Sequence, residues 1–143
     1  GGAEDFICEA DFILASARIS LYNRHEVIKV AENKLVDMST EFAVRILKLT
    51  ESVKGHYSLC NQLERSGTSI GANIREAKYA HSKADFIAKL QISLKECYET
   101  EYWIEIGQKA EIFTADVAKG ILHDCGSIRR MLIASINTAK ENT

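Results

Sequence analysis

Arg65, Ser69, Asn73 and Glu76 follow one another at steps of four, four and three residues. On a helix turning about 100° per residue, that spacing sets them along one stripe. A guanidinium, a hydroxyl, an amide and a carboxylate in line could grip a polar ligand or move a proton. The same groups could instead satisfy polar side chains of a neighbouring helix, such as Glu96, Glu99 or Thr100. An unpaired buried polar group costs about 1–3 kcal/mol, so a network of this kind fixes helix register. The structural role is the expectation for these four residues.

Other chemistry-bearing residues fall short of a site. His56 and Cys60 share a helical face, but His123 and Cys125 are two residues apart and point to different faces. A zinc centre takes three or four convergent ligands, and the E-x-x-H pattern of di-iron bundles is missing. Neither a metal nor a cofactor is expected. No Ser or Cys stands in an activating context, so no catalytic residue is assigned. His81 suits a corner between helices. Gly67 and Gly71 have small-x-x-x-small spacing, which lets backbones approach closely. Mid-helix glycines cost about 1 kcal/mol each relative to Ala, so a large neighbour should pack there. With no preceding strand and no G-K-[ST], they are not a phosphate loop. Cys8, Cys60, Cys97 and Cys125 are far apart and read as reduced core residues.

The elements that must position these residues are helices. The 143 residues suit one domain, and 46% are hydrophobic with no proline at all. The expected class is all-α, an antiparallel up-down-up-down four-helix bundle. Residues 1–31 form an N-terminal extension that reads poorly, and residues 32–143 the bundle domain. Within the extension Phe6, Ala10, Ile13, Ala17 and Leu21 have helical spacing; Gly1 and Gly2 look vector-derived. The first firm helix is predicted from about Thr40 to Lys54, capped by Ser39 and stopped by Gly55, with Phe42, Ile46, Leu49 and Val53 as its seam. The second runs from about Ser58 to Tyr79, burying Leu59, Leu63, Ser66, Ile70, Ile74 and Ala77. Ser82 opens the third, S-K-A-D resembling a capping box, and it continues to about Ala110. Thr114 caps the fourth, whose seam is Val117, Ile121, Cys125 or Leu122, Ile128, Leu132, Ile136 and Ala139.

The third helix is apolar on several sides. Phe86, Leu90, Leu94, Cys97 and Ile104 face the core, Ile92, Trp103 and Ala110 share a second face, and Tyr98 and Tyr102 with Ile87 make a third. A helix apolar all round is buried all round, so Ile92, Trp103, Ala110, Tyr98 and Tyr102 are candidates for an oligomer interface. The alternative is that residues 1–31 fold over this surface.

A formal net charge of -2 and a pI near 6.1 exclude a global cationic field drawing the chain onto phosphate backbones. A local patch would be needed. Arg75, Lys78, Lys83, Arg129 and Arg130 are the candidates for contacting RNA or DNA, though acids interleave them; the alternative is ordinary solvated positions. No stretch approaches the ~18 apolar residues of a membrane span, and the acidic start does not resemble a secretory signal. A cytoplasmic location without membrane contact is expected.

R-S-G-T-S-I-G-A-N-I-R-E-A at residues 65–77, then S-K-A-D-F-I-A-K-L-Q-I-S-L-K-E and E-T-E-Y-W, resemble the bacterial four-helix-bundle proteins known from intervening sequences in 23S ribosomal RNA genes. The resemblance covers about residues 32–142. It implies the bundle, a homopentameric barrel and no enzymatic activity. The family also includes the accessory variability determinant of diversity-generating retroelements, which binds a reverse transcriptase and nucleic acid through a basic surface. Those relatives are strongly basic and this chain is not. The expectation is a non-catalytic homo-oligomeric scaffold or adaptor, a pentamer, whose partner is a nucleic acid or a nucleic-acid-associated protein. The alternatives are a small-molecule- or metal-binding bundle with cryptic activity, and a mobile-element product without host function.

Overall fold

The computed structural model describes residues 21–141. Four helices fill them: α1 (Leu21–Ser52), α2 (Tyr57–Lys78), α3 (Lys83–Lys109) and α4 (Ala115–Glu141). Short turns force each helix to run against the one before it. α2 packs on α1 and α3, α3 on α4, and α4 returns to α1 along the thinnest of the four seams. The arrangement is the four-helix bundle.

Local chemistry explains most of the boundaries. Gly55 adopts φ 79°, a left-handed backbone open to glycine at little cost, and α1 ends just before it. Ser82 accepts from the Asp85 amide at 3.1 Å and Thr114 from the Val117 amide at 3.2 Å, so both hydroxyls satisfy amides that a helix start would leave bare. Asp85 and Lys109 lie at the ends of α3 that favour their charges.

The start of α1 is the main departure from the sequence reading. The helix does not begin at Thr40, and Ser39 does not cap it. Ser39 is mid-helix and fully buried. Its hydroxyl donates to the Val36 carbonyl at 3.1 Å, and Thr40 donates to the same oxygen at 2.7 Å. A hydroxyl satisfied by the preceding turn does not break a helix, so a Ser-Thr pair that resembles a start is internal. Helix therefore passes residue 31 without interruption. The spacing from Phe6 to Ala17 lies outside the described residues, as does Cys8.

α1 also overruns its neighbour. Lys78, the last residue of α2, donates to Asn33 at 3.1 Å, so residues 21–32 continue past the end of α2.

The core is continuous along the bundle. Leu35, Phe42 and Ile46 of α1 meet Leu63, Ile70 and Ile74 of α2. Leu90, Cys97 and Ile104 of α3 meet Ile121, Cys125, Ile128 and Leu132 of α4. Each large aliphatic so buried contributes about 1.5–3 kcal/mol. Leu49, Val53, Leu59, Phe86 and Leu94 are only partly buried. Val117 departs from the α4 seam: it is exposed while its neighbour Ala118, about 100° further round the helix, takes the core position. Ala139 is half-buried.

Both α2 glycines face α1. A Cβ on Gly67 would lie 3.0 Å from Ile46 Cγ1, and one on Gly71 would lie 3.1 Å from Ser39 Oγ. The close packing that their spacing implied is therefore made by one large neighbour and one small one.

Candidate functional site

The Arg65 stripe splits between two roles. Arg65 pairs across the α2–α3 seam with Glu99 and, at 3.4 Å, with Glu96. Glu99 also accepts from the Trp103 indole at 3.3 Å. Glu76 pairs with Lys89 of α3 at 3.0 Å. Ser69 and Asn73 instead stay on their own helix, donating to the Arg65 and Ser69 carbonyls at 2.6 and 2.8 Å. Thr100 donates to Ser66 at 3.0 Å, and Ser93 donates to the Ile70 carbonyl at 2.8 Å. Those two core bonds were not read from the sequence; the hydroxyls of Ser66, Ser93 and Thr100 at buried positions were their only signal.

Two neighbouring carboxylates are tuned in opposite directions. The Arg65 hydrogen bond holds Glu99 below its ordinary value against a smaller opposing effect of burial, with Trp103 assisting. Burial pushes Glu96 up, and the Glu99 charge adds to this, while Arg65 only partly offsets the rise. Glu96 Oε2 is buried without a hydrogen-bond partner. Arg65 and Glu76 thus tie α2 to α3, while the Ser69 hydroxyl is engaged by its own helix.

The oligomer candidates occupy two sides of α3. Trp103 is partly buried against the core and turned toward α2 through Glu99. Tyr102 meets it edge-on, with ring centroids 4.9 Å apart. Ile92, Tyr98 and Tyr102 are 42%, 50% and 53% exposed, and Ala110 is exposed at the helix end. Tyr98 lies on the α4 side, its ring centroid 5.7 Å from the Arg129 guanidinium carbon.

The five basic candidates do not form one patch. Arg75 donates to Thr40 at 3.2 Å and Lys78 to Asn33, tying both to α1. Lys83 Nζ is buried without a hydrogen-bond partner at the start of α3. Arg129 and Arg130 are neighbours on α4, and Arg129 Nε donates to Glu101 at 2.8 Å.

Two clefts are prominent. One of about 400 Å³ lies at the end of the bundle, between Val53, His56, Ile112 and Val117. Another of about 360 Å³ follows the α1–α4 seam beside Phe42, Arg45 and His123. Neither is lined by Arg65, Ser69, Asn73 or Glu76. Among the described residues there is no cluster of three His, Cys, Asp or Glu suited to a metal, and no helix is long and apolar enough to cross a membrane. Cys60, Cys97 and Cys125 are free and buried. Contact with Cys97, followed by burial, pushes the Cys125 thiol up.

The profile of the 23S rRNA-intervening sequence proteins matches residues 31–134. The chain belongs to this family. A crystal structure of an S23 ribosomal protein family member of unknown function, from Bacteroides thetaiotaomicron VPI-5482, is 45% identical with a TM-score of 0.72. The similarity covers 75% of this chain and 98% of that one. No curated protein matches. Within the intervening-sequence family region lie Arg65, Glu96, Glu99 and Trp103, together with both clefts; residues 1–30 precede it.

Proposed function

We propose that this chain is a non-enzymatic, self-associating scaffold of the cytoplasm, a homopentamer that offers its outer faces to RNA, DNA or a nucleic-acid-associated protein. The observation that carries this reading is the surface of α3, where the open Tyr102 meets the half-covered Trp103 edge-on and Ile92 stands open about three turns earlier on the face that Trp103 shares. Large apolar groups gathered on a surface mark a contact site, and tyrosine and tryptophan are favoured anchors at interfaces. Closed rings of identical subunits use two different patches on each copy. Fivefold closure follows from the resemblance to homopentameric relatives, and the nucleic-acid partner from the family's association with 23S rRNA genes. The polar stripe supports a non-catalytic role because Arg65, Glu99 and Glu76 are engaged with one another's helices.

Light scattering on the purified chain, at low and moderate salt, tests the reading. A mass near five subunits is the expected result. A monomer at all concentrations would overturn the self-association. Absorbance at 260 nm in excess of the protein's own would reveal co-purified nucleic acid.

A further inference from the structure

Two guanidiniums meet over one bare stretch of backbone on α4. A Cβ on Gly126 would lie 3.1 Å from Arg130 Nη1 and 3.5 Å from Arg129 Nη2, so both nitrogens come close to a single point. Glu101 takes Arg129 through Nε, at 2.8 Å, which leaves the Nη end outside that bond. Arg130 has less: its Nη2 donates to the Ser127 hydroxyl at 3.3 Å, and its Nε is buried without a partner. Among the described residues no carboxylate pairs with Arg130. A half-buried cation lacking a counter-charge is costly, and an arriving anion would relieve that cost.

The third member supplies the identity of the anion. The Arg129 guanidinium lies over one face of the Tyr98 ring, and the residue is half-exposed, so the opposite face is the one offered to a base. Guanidinium forks match phosphate oxygens, and a flat exposed ring stacks on a nucleobase that has left its helix. We infer that Arg129, Arg130 and Tyr98, gathered along the α3–α4 seam, bind single-stranded nucleic acid. The two guanidiniums hold a phosphodiester, and Tyr98 stacks on the adjoining base. Glu101 orients Arg129 by fixing its Nε. A duplex fits poorly because its bases are already stacked. This assignment rests on the nucleic-acid part of the proposed function and names the surface that serves it.

The test is fluorescence anisotropy of the full chain with a labelled 20-nucleotide single-stranded RNA, compared with the same RNA as a duplex and with a 5′-phosphorylated mononucleotide. The expected results are preference for the single strand and affinity that falls with salt. Tyr98→Leu should weaken binding roughly fivefold to hundredfold with little change in salt slope. Arg130→Gln should weaken it and lower the slope by about one. Circular dichroism melting of both variants checks that the bundle is intact. Equal binding by folded variants and parent would overturn the site while leaving the nucleic-acid partner in place. A duplex bound as tightly as the single strand would overturn the stacking role. A mononucleotide bound as tightly as the RNA would make the ligand a free nucleotide and overturn the polymer assignment. No binding of any probe at low salt would overturn both the site and the nucleic-acid partner, whereas self-association is judged separately by mass.

Discussion

The Phe113 ring lies on the backbone of Gly107, in the space that any side chain at that position would occupy. The Phe113 and Ile112 amides both donate to the Gly107 carbonyl, at 3.2 and 2.8 Å. One residue thus ends α3 and seats the aromatic plug at that end of the core. Gly107→Ala should displace the ring and destabilise the chain by about 1–3 kcal/mol. Urea titration followed by circular dichroism checks this, and an unchanged midpoint would show that the plug relocates freely.

Gly67 and Ile46 set the distance between α1 and α2. Gly67→Ala gains helix propensity of about 1 kcal/mol but crowds Ile46, whose Cγ1 would be 3.0 Å away. Overpacking should win, for a net loss of about 1 kcal/mol. Adding Ile46→Val should recover part of it. A double-mutant cycle reads the coupling directly, and additive effects would mean that the two residues do not constrain each other.

The opposed carboxylates predict a pH signature. Glu99 is depressed by Arg65, so its contribution is present above the ordinary carboxylate range and is lost as pH falls through its lowered value. Glu96 is raised, so its ionisation costs stability once pH climbs through its elevated value. Glu96→Gln should therefore raise the melting temperature at neutral pH, with the gain shrinking on acidification. Arg65→Ala should lower stability at neutral pH by about 1 kcal/mol or less, because the pair is partly solvated. A Glu96→Gln gain that is constant from acid to neutral pH would contradict the burial of an ionised group.

The proposed self-association is better tested at Ile92 and Tyr102 than at Trp103. Trp103 packs against the core and bonds to Glu99, so removing it disturbs the subunit as well. Ile92→Asp with Tyr102→Ala should yield a folded monomer, with far-UV circular dichroism unchanged and mass reduced to one subunit. An intact oligomer would move the contact to another face.

Much of this architecture was legible because helical spacing is a strong signal where one face is buried. Ile70, Ile74, Leu90, Cys97 and Leu132 all read as core and are buried. Ser82 and Thr114 read as caps and act as caps. Ser39 misled because its hydroxyl has two equally local uses, capping a helix or bonding the previous turn, and only the surrounding chain decides between them. Pairings between helices were harder. The gathering of Arg129 and Arg130 over Gly126 and the bond from Arg129 to Glu101 depend on how α3 and α4 are rotated against each other, and periodicity along one helix carries no record of that rotation. Glu76 could be placed on the flank of α2, yet its partner Lys89 could not be chosen among several charges on α3.

The overrun of α1 has a mechanical side. Residues 21–32 carry the chain about 18 Å past the end of α2, at about 1.5 Å per residue, as a shaft continuous with the segment that inserts Leu35, Phe42 and Ile46 into the core. Because no turn breaks α1 between Leu21 and Ser52, a displacement at its start has no joint to bend at before it reaches the core residues.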